Sequence, residues 1–209
     1  FYALDKTPIE VEIEHAGQIV RTAMTNKSLY TNVSIKKTGY TEVMPGQQIR
    51  YDFSGIANNS TTALTSFYWR DTLPTQAVRL DKIVTGTYNV QGNYKIVYKT
   101  NLNGEYRTMY DNLNTQQNNV LDASPAALGL ASNEYVTEFM LSFGVVPGNF
   151  RQVEAPRVYC NVVSWLTGGT QFVNQADVGG VYNGQWIMAT SRWVTRVYKP
   201  AKPLPRTGY

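Results

Sequence analysis

One cysteine and one histidine are all that 209 residues supply of the side chains most used in covalent and metal chemistry. Cys160 alone closes no intramolecular disulfide, so the fold does not rest on a cystine framework. A serine or cysteine triad needs an imidazole, and His15 lies in a short N-terminal segment far from any nucleophile. Hydrolase chemistry is therefore not expected, nor is a metal or a cofactor. Charge is scarce too: 16% of residues are charged, and the 19 basic ones are interleaved with 15 acidic ones. The net charge of +4 reads as solvation, not as a nucleic-acid stripe. No apolar run is long enough to span a bilayer. There is neither an initiator Met nor a signal peptide, so the chain reads as a piece of a longer precursor.

What is present points to strands. Hydrophobic residues make up 43%, with 15 Tyr, 16 Gly and 9 Pro, which fits pleated, half-buried strands joined by turns. The first segment alternates at Ile9, Val11 and Ile13, turns at Ala16-Gly17 and resumes through Ile19-Val20 to Met24, one hairpin. Two strands alone are marginal in water, so residues 1–30 read as the end of a preceding β domain. Residues 31–199 read as an all-β, Ig-like Greek-key sandwich with an enlarged middle. Its expected strands are 32–38, 47–54, 64–71, 77–85, 93–100, 105–111, 134–143, 156–166, 170–178 and 185–198, with a hairpin turn at Asn101-Leu102-Asn103-Gly104. Only Ser124-Pro125-Ala126-Ala127-Leu128 reads as helical, with Ser124 as N-cap. Residues 200–209, rich in Pro and Lys, read as an extended tether.

Strand parity places three polar side chains on apolar faces. Val33 and Ile35 share a face with Lys37; Phe67 and Trp69 share one with Asp71; Phe172, Ala176 and Val178 share one with Asn174. The plain reading is that these are strand-end residues whose tips reach solvent. Burying them unpaired would cost several kcal/mol, which invites a chemical explanation. One chemistry uses this trio: a desolvated, neutral lysine attacks the asparagine carboxamide while a protonated carboxyl polarises it, ammonia leaves, and a Lys–Asn isopeptide bond remains. The expected arrangement has the Lys37 strand beside the Asn174 strand, with Asp71 facing both from the other sheet. Lys36, beside Lys37, is an alternative nucleophile if a bulge intervenes, and Asn183 is a reserve acceptor whose Asn-Gly context also reads as a turn.

At these residues the chain resembles Gram-positive surface-protein domains of the collagen-adhesin A type. The matching pieces are Val33-Ser34-Ile35-Lys36-Lys37-Thr38, Val43-Met44-Pro45-Gly46-Gln47-Gln48-Ile49-Arg50-Tyr51, Arg70-Asp71-Thr72-Leu73-Pro74 and Phe172-Val173-Asn174-Gln175-Ala176-Asp177-Val178, in the family's order. The resemblance implies a crosslink between Lys37 and Asn174, catalysed by Asp71. Residues 1–28 resemble the last strands of a collagen-adhesin B-type (SpaA-like) domain, with Asn26 where that family has its own isopeptide asparagine. The middle, about 77 to 165, exceeds a minimal repeat of the A type and carries no placed motif.

Leu204-Pro205-Arg206-Thr207-Gly208, after the Pro-Lys tether, matches the LPxTG sorting signal, which sortase cleaves after the threonine. This implies an extracellular, cell-wall-anchored protein whose partners are sortase and, through Thr207, peptidoglycan or a pilin subunit, with no nucleic acid and no membrane after sorting. The expected role is a structural stalk or anchor-proximal module of a surface protein or pilin, not an enzyme. The alternative is an adhesin module with a host surface ligand, since the extra middle length suits binding loops. Tyr68, Trp165, Trp186 and Trp193 are candidate sugar-stacking residues, set against the commoner reading as core or cross-strand aromatics.

Overall fold

The computed structural model describes residues 8–15 and 18–25 as backbone and residues 29–199 throughout. Asn26, the tether and Leu204 to Gly208 lie outside the described residues.

The N-terminal hairpin forms where alternation places it. Strands β1 (Pro8–His15) and β2 (Gln18–Thr25) pair antiparallel from Pro8↔Thr25 to His15↔Gln18 and make a sheet of their own.

Residues 33–197 form two sheets packed face to face, the expected sandwich. The five-stranded sheet runs β10 (Val120–Asp122), β7 (Val78–Val84), β12 (Arg157–Val162), β5 (Gln48–Asn58), β3 (Val33–Thr38). The seven-stranded sheet runs β4 (Glu42–Val43), β14 (Gln185–Val197), β13 (Gln171–Tyr182), β6 (Leu64–Thr72), β11 (Val136–Val146), β8 (Asn93–Thr100), β9 (Arg107–Asn114). All pairings are antiparallel except β4 with β14. The chain changes sheets between β3 and β4. There the Tyr40 carbonyl accepts hydrogen bonds from Trp193 Nε1 (3.0 Å) and Thr195 Oγ1 (2.9 Å), which hold the crossing against β14.

All ten expected strands of the body are present, within a few residues at each end. The two additional ones, β4 and β10, have two and three residues, too short for alternation to register. The expected helix at Ser124 is corrected to a single turn. Ser124 Oγ does accept from the Ala127 N–H (3.3 Å), as a cap would, but Gly129 takes a left-handed φ of 63° and ends the segment before a second turn.

Between the sheets lies one aromatic-rich core. Phe53 meets Trp69 (ring centroids 4.9 Å apart) and Trp69 meets Phe139 (5.8 Å); Phe67, Tyr88, Tyr94, Phe143 and Phe150 extend it. Trp69 Nε1 donates to the Tyr88 hydroxyl at 2.9 Å, so the largest buried ring keeps its polar atom paired. The outer face of the seven-stranded sheet is ionic: Arg70 bridges Asp177 (3.2 Å) and Glu138 (3.8 Å), and Lys99 reaches Glu138 (3.6 Å).

Candidate functional site

Parity carries Lys37, Asp71 and Asn174 into this core, as expected, and the structure brings all three together. On β6, Phe67, Trp69 and Asp71 are each fully buried; on β13, Asn174 and Ala176 are too. Lys37 Nζ lies 2.7 Å from Asp71 Oδ1, and both side chains are sealed from solvent. Asn174 Nδ2 lies 3.5 Å from the other oxygen, Asp71 Oδ2, a long and weak contact. The carboxyl therefore stands between amine and carboxamide, with one oxygen toward each.

The strand arrangement differs from the expected one. Asp71 and Asn174 share the seven-stranded sheet on neighbouring strands, with Ala176↔Asp71 in register and Asn174 one pleat away; Lys37 comes from the opposite sheet. The physical reason is that β3 pairs with β5 as an edge strand and turns its end onto β14, where the Lys37 N–H donates to Ser191 Oγ at 2.9 Å. Lysine is the residue long enough to reach across the sandwich, and the two short side chains sit side by side on one face.

Lys36 and Asn183 are placed elsewhere. A bulge does interrupt the β3–β5 register between Ser34 and Lys36, but the extra residue is on β5, where Gly55 takes a φ of 63°. Lys37 consequently keeps the inward parity and Lys36 is exposed. Asn183 and Gly184, with φ of 47° and 75°, form the two-residue turn between β13 and β14.

Three residues of the site carried no chemical signal in the sequence. Tyr51 and Phe53, on the inward parity of β5, put their rings 4.5 and 4.4 Å from Lys37 Nζ. Cys160, opposite Ile49 on β12, is fully buried within electrostatic reach of Lys37 and Asp71. Alternation on β5 marks Tyr51 and Phe53 as core but not as neighbours of Lys37, because that contact depends on strand order.

The electrostatics follow from burial. Desolvation pushes the Lys37 amine down from its ordinary value, against the raising effect of Asp71. The same desolvation pushes the Asp71 carboxyl up, against Lys37 and the Asn174 hydrogen bond. Both shifts favour the neutral pair, amine and carboxylic acid, over the ion pair. Burial also raises the Tyr51 hydroxyl and the Cys160 thiol, so both stay protonated. Two buried polar atoms here, Asn174 Oδ1 and the Tyr51 hydroxyl, lack a hydrogen-bond partner among the described residues. A half-turn of the Asn174 carboxamide would present Oδ1 to the Asp71 acid proton and satisfy it.

No family model and no curated protein matches the chain. Among solved structures, 90% of it aligns with 42% of a putative membrane anchored protein from Corynebacterium diphtheriae (TM-score 0.45, 12% identity). It aligns over 81% of its length with 98% of a cohesin module from a Clostridium perfringens family 33 glycoside hydrolase (TM-score 0.41, 12% identity). A collagen-binding domain from a Staphylococcus aureus adhesin aligns with 80% of the chain over 99% of its own length (TM-score 0.32, 9% identity). Likenesses this distant leave function to the chain's own residues.

Proposed function

We propose that this chain is a structural stalk or anchor-proximal module of a sortase-anchored surface protein or pilin, locked by a spontaneous isopeptide bond between Lys37 and Asn174. The observation that carries the reading is the sealed trio, with Asp71 2.7 Å from the Lys37 amine and 3.5 Å from the Asn174 amide, and with Asn174 Oδ1 left unpaired. A lysine placed there only to stabilise the core would be a poor choice, since desolvating two charges costs about as much as their attraction returns.

The chemistry needs no cofactor. A proton passes along the hydrogen bond from Lys37 Nζ to Asp71 Oδ1, leaving a neutral amine and a carboxylic acid. With the Asn174 carboxamide turned so that its Oδ1 faces Asp71 Oδ2, and the acid proton on that Oδ2, the amine attacks Asn174 Cγ while the carboxyl hydrogen-bonds the developing oxyanion. Asp71 then carries a proton from Nζ to Nδ2. The Cγ–Nδ2 bond breaks, ammonia leaves, the Nζ–Cγ amide remains, and Asp71 ends as a carboxylic acid holding the proton it took from Lys37. The rings of Tyr51 and Phe53 keep water from the amine.

Force resistance follows from topology. The bond joins β3, the first strand of the sandwich, to β13, the last but one, across the two sheets. A pull entering before Val33 and leaving after Val197 would run through the covalent tie, bypassing the strands between. Leu204 to Gly208 supply the anchor in this reading, with sortase cleaving after Thr207 and passing it to peptidoglycan or a pilin subunit. The direct test is the intact mass of the folded chain: one ammonia below the sequence mass supports the reading, and the full sequence mass overturns it.

A further inference from the structure

The enlarged middle of the chain builds a cleft remote in chemistry from the buried trio. Arg79 at the start of β7, the β10–β11 connection through Pro125, Leu130, Ser132 and Tyr135, and Trp165 after β12 enclose about 600 Å³ open to solvent. Trp165 is 70% exposed, more than any other large hydrophobic residue in the described body. An indole left in water beside a cleft, instead of in the aromatic core nearby, is a surface held for contact.

Arg79 lies between two rings, its guanidinium carbon 3.9 Å from the Tyr135 centroid and 5.8 Å from that of Trp165. Its Nη1 donates to the Thr75 and Val78 carbonyls, which fixes the plane of the fork. Nε and Nη2 have no hydrogen bond among the described residues, and Arg79 has no ion pair among them either. The one carboxylate lining the cleft, Glu134, is turned to Arg107 and to Thr100 Oγ1 (2.7 Å), so its charge is already answered. Partial burial lowers the Arg79 guanidinium, the expected state of a cation that has lost water without gaining a counter-ion. Across the outer sheet face, by contrast, Arg70 and Lys99 both have carboxylate partners.

We infer that this cleft binds a carboxylated pyranose, a uronic or sialic acid unit of a glycan. The Arg79 fork takes the carboxylate through its open Nε and Nη2 edge, the side-by-side donor pair that suits bidentate recognition. The exposed Trp165 face takes the C–H face of the ring, and the cleft has room for one or two sugar units. An acidic peptide would satisfy the fork but would leave the Trp165 face with no flat apolar partner. The inference goes beyond the crosslinked stalk and does not depend on the crosslink.

The test is a proton–nitrogen NMR titration of the full chain with methyl glucuronide, methyl α-sialoside, neutral methyl glucoside and an oligo-glutamate peptide. At least one of the two acidic sugars should shift the Trp165 indole N–H and the Arg79 Nε–H saturably, and methyl glucoside should not. Trp165→Ala, a change at an exposed side chain, should weaken that binding at least tenfold with thermal stability kept. Arg79→Gln should do the same and remove the salt dependence. Binding of neutral and acidic sugars alike, binding of the glutamate peptide alone, or unchanged affinity in Trp165→Ala would overturn the inference.

Discussion

Lys37 and Asp71 meet across the two sheets of the sandwich, Nζ to Oδ1 at 2.7 Å, and neither side chain touches water. Each is shifted by desolvation toward its neutral form, and each is held back from a larger shift by the other.

That mutual restraint predicts an inverted pH response when one partner is removed. In Lys37→Met no crosslink forms, and Asp71 loses the charge and hydrogen bond that lower its pKa, so the folded value rises further above the ordinary 3.8. A carboxyl raised in the folded state costs nothing at a pH below the unfolded value, where both states are protonated. Stability then falls as pH rises from there to the folded value, by about 1.4 kcal/mol per pH unit. Melting temperature should therefore drop between pH 4 and neutrality in Lys37→Met, and the added substitution Asp71→Asn should remove the drop. A Lys37→Met curve parallel to that of the double variant would refute the burial argument.

Identity of the reacting groups is checked by substitution and mass. Lys37→Ala, Asp71→Ala and Asn174→Ala should each restore the full sequence mass. Lys36→Ala, altering an exposed side chain, and Asn183→Ala, altering the β13–β14 turn, should keep the one-ammonia deficit. A deficit that survives Asp71→Ala would remove the carboxyl from the mechanism.

Most of this architecture is legible in period-two alternation, and the trio is legible for the same reason. Phe67, Trp69 and Asp71 share a parity whatever their strand pairs with, so inwardness can be read locally. Strand order cannot. Nothing near Asn174 shows that β13 pairs with β6 and not with β3, because that choice is settled by packing among segments far apart in the chain. The same limit hides the Arg79 cleft, whose walls come from three separate stretches of the chain. At Ser124 the capping chemistry is legible and was realised, yet one turn of helix has too few hydrogen bonds to extend past Gly129.

Backbone strain gives a stability prediction independent of the site. A Cβ on Gly86 would stand 2.3 Å from the Glu154 carbonyl oxygen, in a residue already at a φ of 67°. Gly46, at a φ of 77°, has open space around the same position. Gly46→Ala should cost about 1 kcal/mol, the conformational term alone, whereas Gly86→Ala should cost on the order of 3 kcal/mol or more. Chemical denaturation of the two variants separates the clash from the dihedral cost; equal losses would show that the Glu154 segment yields freely.

Wall attachment should depend on Thr207 and on nothing in the sandwich. With the complete sorting signal present, Thr207→Ala should move the protein from the wall fraction to the medium, with an unchanged melting temperature. Retention of the Thr207→Ala protein in the wall fraction would dismiss the signal at Leu204 to Gly208.

The proposed crosslink would have its largest consequence under load. A bond from residue 37 to residue 174 removes a long loop from the unfolded ensemble, worth about 4–5 kcal/mol in the chain-entropy model. For a domain of this size that corresponds to a fall in melting temperature of roughly 10–20 °C in Asn174→Ala. Asn174→Ala keeps both Lys37 and Asp71, so the variant lacks the bond without removing the amine or the carboxyl. Pulled from both ends, the wild type should release only the segments outside the tie, while Asn174→Ala should yield additional contour on the order of 450 Å, the extended length of the freed loop. Thermal stability measures the entropy of the loop and force spectroscopy measures its length, so the two results test one bond by unrelated quantities. If Asn174→Ala melted lower but gave no extra contour, the loss would come from core packing around the missing amide, and the tie between β3 and β13 would have to be abandoned.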